Sequence, residues 1–234
     1  EIQSQTIAIG GVCVGQKSEK SDWAKVEQSP VRCADAEVEK AMMAAIDKAK
    51  EEGDSVGGVF QVVATGVPIG LGSHVHWDRR LDGRIAQAMM SINAVKGVEI
   101  GAGFSLANLR GSQAHDIIEF DKARRQWRHV TNRAGGIEGG MSNGEPIVVN
   151  AVVKPIPTLS KPLPSVDLRT REVVQAHFER SDVCVVPAAG VIGEAMLAIV
   201  LADALLEKFG GDHLKETLRN YQGYSDSIAR RQGE

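Results

Sequence analysis

Apolar and polar positions along this chain follow two periods, and the change from one to the other marks out its elements. Residues 5–15 (QTIAIGGVCVG), 56–65 (VGGVFQVVAT) and 147–154 (IVVNAVVK) are short runs rich in Ile and Val and read as strands. Residues 35–52 carry apolar positions at helical spacing, with Asp35 placed as an N-cap and Gly53 as a stop. Over residues 78–94, Leu81, Ile85, Ala88, Met89 and Ile92 share one helical face, so a second helix is expected there, capped by Asp78 and with its methionines in the core. Residues 194–209 are nearly all apolar, which predicts a helix buried on most sides and ended by Gly210 and Gly211. Stretches without a clear period lie at 17–33, 112–131 and 160–170, and such loops are uncommon unless functional or mobile. The alternation supports an α/β or α+β class.

One segment stands apart from these periods. Residues 132–158 read NRAGGIEGGMSNGEPIVVNAVVKPIPT, a glycine-rich stretch joined by a strand to a Lys-Pro-Ile-Pro-Thr turn. Gly135, Gly136, Gly139 and Gly140 lack a Cβ, so their amides are able to touch a planar ring or a phosphate and to adopt positive φ. Lys154 adds a charge and Thr158 a hydroxyl. Pro155 and Pro157 set φ and remove amide donors, leaving the chain around Ile156 stiff and extended, which lowers the entropic cost of binding. The same residues equally suit an ordinary loop that uses glycine for turns and proline for edge protection. No GxGxxG nucleotide signature is present.

Composition narrows the partners little. The 234 residues are 43% hydrophobic and 24% charged with a net charge of -3, ordinary values for a globular chain with a real core. The slightly acidic balance argues against general nucleic-acid binding. The basic cluster Lys122, Arg124, Arg125, Arg128 and His129 reads as a solvated loop, since Trp127 alone makes no stacking platform. Cys13, Cys33 and Cys184 are widely spaced, odd in number and free of a C-x-x-C pattern, so reduced structural thiols are expected. No apolar run reaches the roughly 20 residues a bilayer needs, the longest, 188–209, being interrupted by Glu194 and Asp203, and no membrane span is expected. His74 and His76 would share one strand face, but without a third ligand no metal site is assigned, and Asp78 serves as a cap. Arg180 and Asp182, taken alone, read as surface residues ahead of the apolar run 183–187.

Taken in order, VRCADAEVEKAM (31–42), GDSVGG (53–58), GLGSHVHWDRRLDGRIAQAMMSINAVKGVEIGAGF (70–104), NRAGGIEGGMSNG, KPIPT and RSDVCVVPAAGVIGEAMLAIVLADALLEKFGGD (180–212) resemble chorismate synthase across nearly the whole chain. The resemblance implies a β-α-β sandwich with long helices between antiparallel sheets, and a cytoplasmic homotetramer. It implies a lyase of the shikimate pathway of aromatic amino acid biosynthesis: 5-enolpyruvylshikimate 3-phosphate loses phosphate and a ring hydrogen to give chorismate, with reduced FMN required although no net redox change occurs. An intrinsic flavin reductase, drawing on NADP, accompanies the lyase in some members. Carried over residue by residue, Asn93, Ala94, Gly139, Lys154, Pro155, Ile156, Pro157 and Thr158 are implied flavin contacts. Arg180 is implied to meet flavin and substrate phosphate, and Asp182 to lie near the flavin ring and set the protonation of the reduced cofactor. Asn93 also suits an amide capping the end of the preceding helix.

The resemblance further implies a long N-terminal region before the point matching Glu1, bearing two histidines credited with proton transfers, most phosphate-gripping arginines and an RGRSSAR-type segment. Residues 1–234 are therefore expected to be the C-terminal part of a single domain and not to turn over alone. A flavin-binding module without chemistry, or an oligomerisation element, is the alternative.

Overall fold

The structure is a computed structural model, and it describes residues 1–15, 21–123 and 126–233. Its frame is a five-stranded antiparallel sheet built from β1 (Ile2–Ile9), β2 (Val12–Cys13), β3 (Gly58–Ala64), β4 (Val95–Ile100) and β9 (Ile147–Val153), in the order β2-β1-β3-β9-β4. The three runs read as strands all lie in it. The run 5–15 is split because Gly10 and Gly11 take φ of 57° and 87°, which turn the chain back on itself. β4 was not foreseen: Lys96, Gly97 and Glu99 blur its alternation, and a register shift between Val95 and Gly97 breaks its pairing with β9.

Successive residues of a strand point to opposite faces, and the two faces of this sheet differ in chemistry. Phe60 and Val62 point toward the helices, whereas Gln5, Gln61 and Asn150, in register across three strands, point the other way. These amides are buried and linked: Gln5 donates to Gln61 at 2.8 Å, and Gln61 to Asn150 at 3.0 Å. Each buried amide thus has a partner, which removes most of the penalty of its burial.

Three helices cover the other face: α2 (Ala36–Glu52) at β1 and β2, α3 (Leu81–Met90) at β4, and α5 (Val186–Phe209) across β1 and β3. The start and stop expected for α2 are observed. Asp35 accepts from the Glu37 and Val38 amides at 3.0 and 3.1 Å, and Gly53 ends the helix with φ 72°.

The helix expected over 78–94 is shorter. Trp77–Arg79 forms a separate 3-10 turn with Asp78 inside it, so Asp78 is not the N-cap; α3 starts after Arg80, which makes no capping bond. Its apolar face is as expected, with Leu81, Ile85 and Met89 fully buried, but Met90 is 47% exposed, so only one of the two methionines is a core residue. Because α3 ends at Met90, Asn93 lies beyond it and does not cap it.

α5 begins well before residue 194, with Pro187 in its first turn, where a missing amide donor costs little. Glu194 does not interrupt it, because its carboxylate is paired off the helix with the Ser4 hydroxyl at 2.6 Å and with Arg32 at 3.1 Å. Contrary to expectation, α5 is long and apolar enough, by length and composition, to cross a membrane. It packs here as a core helix through Gly190, Gly193, Leu197 and Ala204. Burial on most sides is also not observed: Val191, Ile192, Ile199 and Leu206 are between 47% and 64% exposed along its outer face.

The stretches read as irregular contain or border short elements: α1 (Trp23–Gln28), α4 (Gly111–Ala114), and the hairpins β5 (Ile118–Asp121) with β6 (Gln126–His129) and β10 (Pro164–Val166) with β11 (Val173–Gln175), the last strand lying just beyond residue 170. Residues 17–20, and Arg124 and Arg125 of the basic cluster, lie outside the described residues. Arg128 pairs with Glu119 across its hairpin. A further pair, β7 (Ile137–Glu138) with β8 (Met141–Ser142), forms the glycine-rich turn, and α6 (Leu214–Gly233) docks Tyr221 and Tyr224 edge-on against Phe209.

Candidate functional site

A cavity of about 730 Å³ opens where α5 begins, and its walls come from three separated segments. Ser91, Ile92, Asn93 and Ala94 lead from α3 into β4; Lys154, Ile156 and Pro157 follow β9; Val185, Ala188, Ala189, Ile192 and Met196 come from the start of α5. The sheet explains why the first two meet. β4 pairs with β9 so that Val95 faces Val153, and the Lys154 amide donates to the Ala94 carbonyl at 2.9 Å, carrying the pairing just past the strand ends. Ala94 makes this approach with φ 67°, a conformation a residue with a Cβ rarely adopts and one found preferentially at functional sites.

Five of the sequence-derived candidates, Asn93, Ala94, Lys154, Ile156 and Pro157, therefore line one cavity. Pro155 and Thr158 belong to the same turn. Arg180 and Asp182 are exposed and flank Ser181, whose hydroxyl donates to the Thr158 carbonyl at 2.9 Å, so the structure brings this pair to the end of the turn.

Gly139 is placed elsewhere. The neighbouring Gly140 carbonyl accepts from Leu81 at the first residue of α3 at 2.9 Å, while Asn93 follows the other end of that helix, roughly 15 Å away by helical rise. Of the four glycines whose amides were able to face a ligand, of which Gly139 was the implied flavin contact, Gly139 alone is open. A Cβ would fall 2.3 Å from the Gly101 amide nitrogen at Gly135, 2.5 Å from the Pro146 carbonyl at Gly136 and 2.7 Å from the Ser73 carbonyl at Gly140. These three glycines serve close packing of the chain on itself.

Charge and thiol chemistry at the cavity are simple. Lys154 is an exposed cation at the rim, and Asn93 is likewise exposed. Cys184 lies between the pair and α5, where burial pushes its thiol above the usual range despite an opposing bond at Val186, so it is a neutral packing group and not a thiolate at neutral pH. His74 and His76 are exposed in a turn and not on a strand.

Residues without an assigned role in the sequence also touch this site. Ser55, in GDSVGG, donates to the Ile156 carbonyl at 2.6 Å, and the Val56 amide donates to the Val183 carbonyl at 2.9 Å. A serine followed by glycines signals a tight approach; which backbone it approaches is visible only in three dimensions.

The chorismate synthase family model matches residues 1–206. The chorismate synthase of Moorella thermoacetica is 55% identical over 231 residues, 97% of this chain and 60% of that protein. The chorismate synthase of Brevibacillus brevis is 59% identical over 208 residues, 88% of this chain and 54% of that protein. A solved structure described as "Crystal Structure of Chorismate Synthase" superposes with a TM-score of 0.82 at 44% identity, over 97% of this chain and 63% of that chain. The chain thus spans between 54% and 60% of the length of these two curated relatives.

Proposed function

The chain belongs to the chorismate synthase family, and from that premise we propose that it supplies a flavin-binding wall of the active site at which 5-enolpyruvylshikimate 3-phosphate loses phosphate to form chorismate. Turnover is proposed for the enzyme as a whole and cofactor binding for this portion. The observation that carries the reading is the convergence of Asn93, Ala94, Lys154, Ile156 and Pro157 on one cavity.

Reduced FMN suits these walls. A volume of about 730 Å³ is within the range of small-molecule sites, and Ile92, Ile156, Pro157, Ile192 and Met196 offer apolar surface for a planar ring. The chemistry reduced FMN supplies when bound is transient electron donation to the substrate. The apolar walls exclude water and hold the ring. Lys154 neutralises negative charge on the cofactor as a point charge. Arg180 and Asp182, at the end of the turn, would meet the leaving phosphate and bear on the protonation of the ring, respectively.

Ile192 tests this directly, because it lines the cavity yet is 51% exposed on α5. Ile192→Trp is expected to fill the site and weaken FMN binding by more than about tenfold, with the thermal midpoint held within about 4 °C. Unchanged affinity in a titration followed by flavin absorbance would overturn the reading. A second reading is favoured by the exposed Val191, Ile199 and Leu206 on α5: an assembly surface, in line with the homotetramer the resemblance implies. Sedimentation without flavin separates it, since association then needs no cofactor.

A further inference from the structure

The Lys-Pro-Ile-Pro-Thr turn presents a mechanical problem: it walls the cavity, yet neither Pro155 nor Pro157 has an amide hydrogen, and the pairing of β9 ends at Val153 toward β3 and at the Lys154 amide toward β4. Carbonyls past that point need donors from outside the sheet. Ile156 has the Ser55 hydroxyl at 2.6 Å and Thr158 the Ser181 hydroxyl at 2.9 Å. We infer that Ser55 and Ser181 are positioning residues that hold this turn, and that GDSVGG is the brace which sets the spacing between the turn and the entry to α5. The inference rests on the flavin reading above.

Three further features of the brace support it. The segment touches both walls, because Val56 donates to the Val183 carbonyl at 2.9 Å just ahead of α5. It also anchors the chain leaving the turn, the Gly53 carbonyl accepting from Lys161 at 3.0 Å. It runs directly beneath the turn at Gly57, where a Cβ would lie 2.3 Å from the Val153 carbonyl oxygen and 2.9 Å from Pro155 Cδ. Ser55 is only 8% exposed, so water is a poor substitute for its hydroxyl. Ser181, between Arg180 and Asp182, ties both to Thr158.

The test is a titration of oxidised and anaerobically reduced FMN into the chain and into Ser55→Ala, Ser55→Thr and Ser181→Ala, with bound-flavin spectra and thermal midpoints recorded in parallel. Loss of one such bond is expected to weaken binding about three- to tenfold in Ser55→Ala and about threefold in Ser181→Ala, with a changed flavin spectrum and midpoints within about 4 °C. Ser55→Thr keeps the hydroxyl and is expected to restore both affinity and spectrum. Wild-type affinity in both alanine variants, or a Ser55→Thr variant as weak as Ser55→Ala, overturns the inference while leaving the flavin site standing. Absence of flavin binding by the unsubstituted chain overturns the flavin reading and the inference with it. If Ser55→Ala loses its fold, the exposed Ser181→Ala decides by itself.

Discussion

A carboxylate with only 2% of its side chain exposed persists in the ionised form where donors surround it, and Asp116 shows the arrangement. It accepts from the Thr131 hydroxyl and from the Arg133 and Ala134 amides, both at 2.8 Å, and so holds the start of the glycine-rich segment. Burial by itself raises its pKa, but the bonds from Thr131, Ala134 and Arg133 outweigh that and hold the group below the ordinary carboxylate value. Because the folded value is the lower one, this stabilisation is complete above the ordinary value of 3.8 and is lost as the pH falls through the folded value. Asp116→Asn is expected to destabilise by about 2 kcal/mol at pH 7 and by less under acid, flattening the acid limb of a plot of unfolding free energy against pH; parallel limbs would contradict the assignment. None of this was legible beforehand. Asp116 sits in a stretch without period, and its partners lie 15 to 18 residues away. Asn93, Lys154 and Ile156 were legible through family resemblance, whereas Ser55 and Ser181 act through backbone carbonyls that no motif records.

Among the elements, α2 was legible to the residue because an N-cap and a left-handed glycine are local signals. α3 was overextended because its apolar period runs on through Ile92 although the helix stops at Met90, where the chain turns into β4. α5 misled in a different way: an apolar sequence tells how much surface avoids water, not which neighbour covers it. Its sheet-side contact depends on small residues. A Cβ at Gly193 would sit 2.9 Å from Phe60 Cε2 and 3.0 Å from a Val62 methyl, tighter than core contacts tolerate. Gly193→Val is expected to destabilise by about 3 kcal/mol, overpacking outweighing the gain in helix propensity of less than about 1 kcal/mol. Ile199→Ser, at a position 64% exposed on the opposite face, is expected to change stability by about 0.5 kcal/mol or less, both variants being compared with the unsubstituted chain by urea titration. A reversed order would mean that α5 packs by its other face.

At the scale of the molecule, a mixed α/β or α+β class was legible because strand and helix periods differ and because β1, β3 and β9 carry strong Ile and Val signals, whereas the antiparallel pairing was implied by resemblance. The arrangement of layers was implied by resemblance alone. Among the described residues, α2, α3 and α5 pack on the five-stranded sheet and the remaining sheets have two strands each. The cavity was the least legible feature from periodicity, since its walls join residues 91–94, 154–157 and 185–196, which only the pairing of β4 with β9 and the placement of α5 bring together. Hydrogen exchange read by peptide mass, with and without saturating reduced FMN, tests the flavin site most directly. Slowed exchange confined to the amides of residues 91–96, Lys154, Ile156, Thr158 and the first turns of α5 is the expected result. Saturable binding with protection only around Gly139, or anywhere else outside those walls, would contradict a flavin site in this cavity.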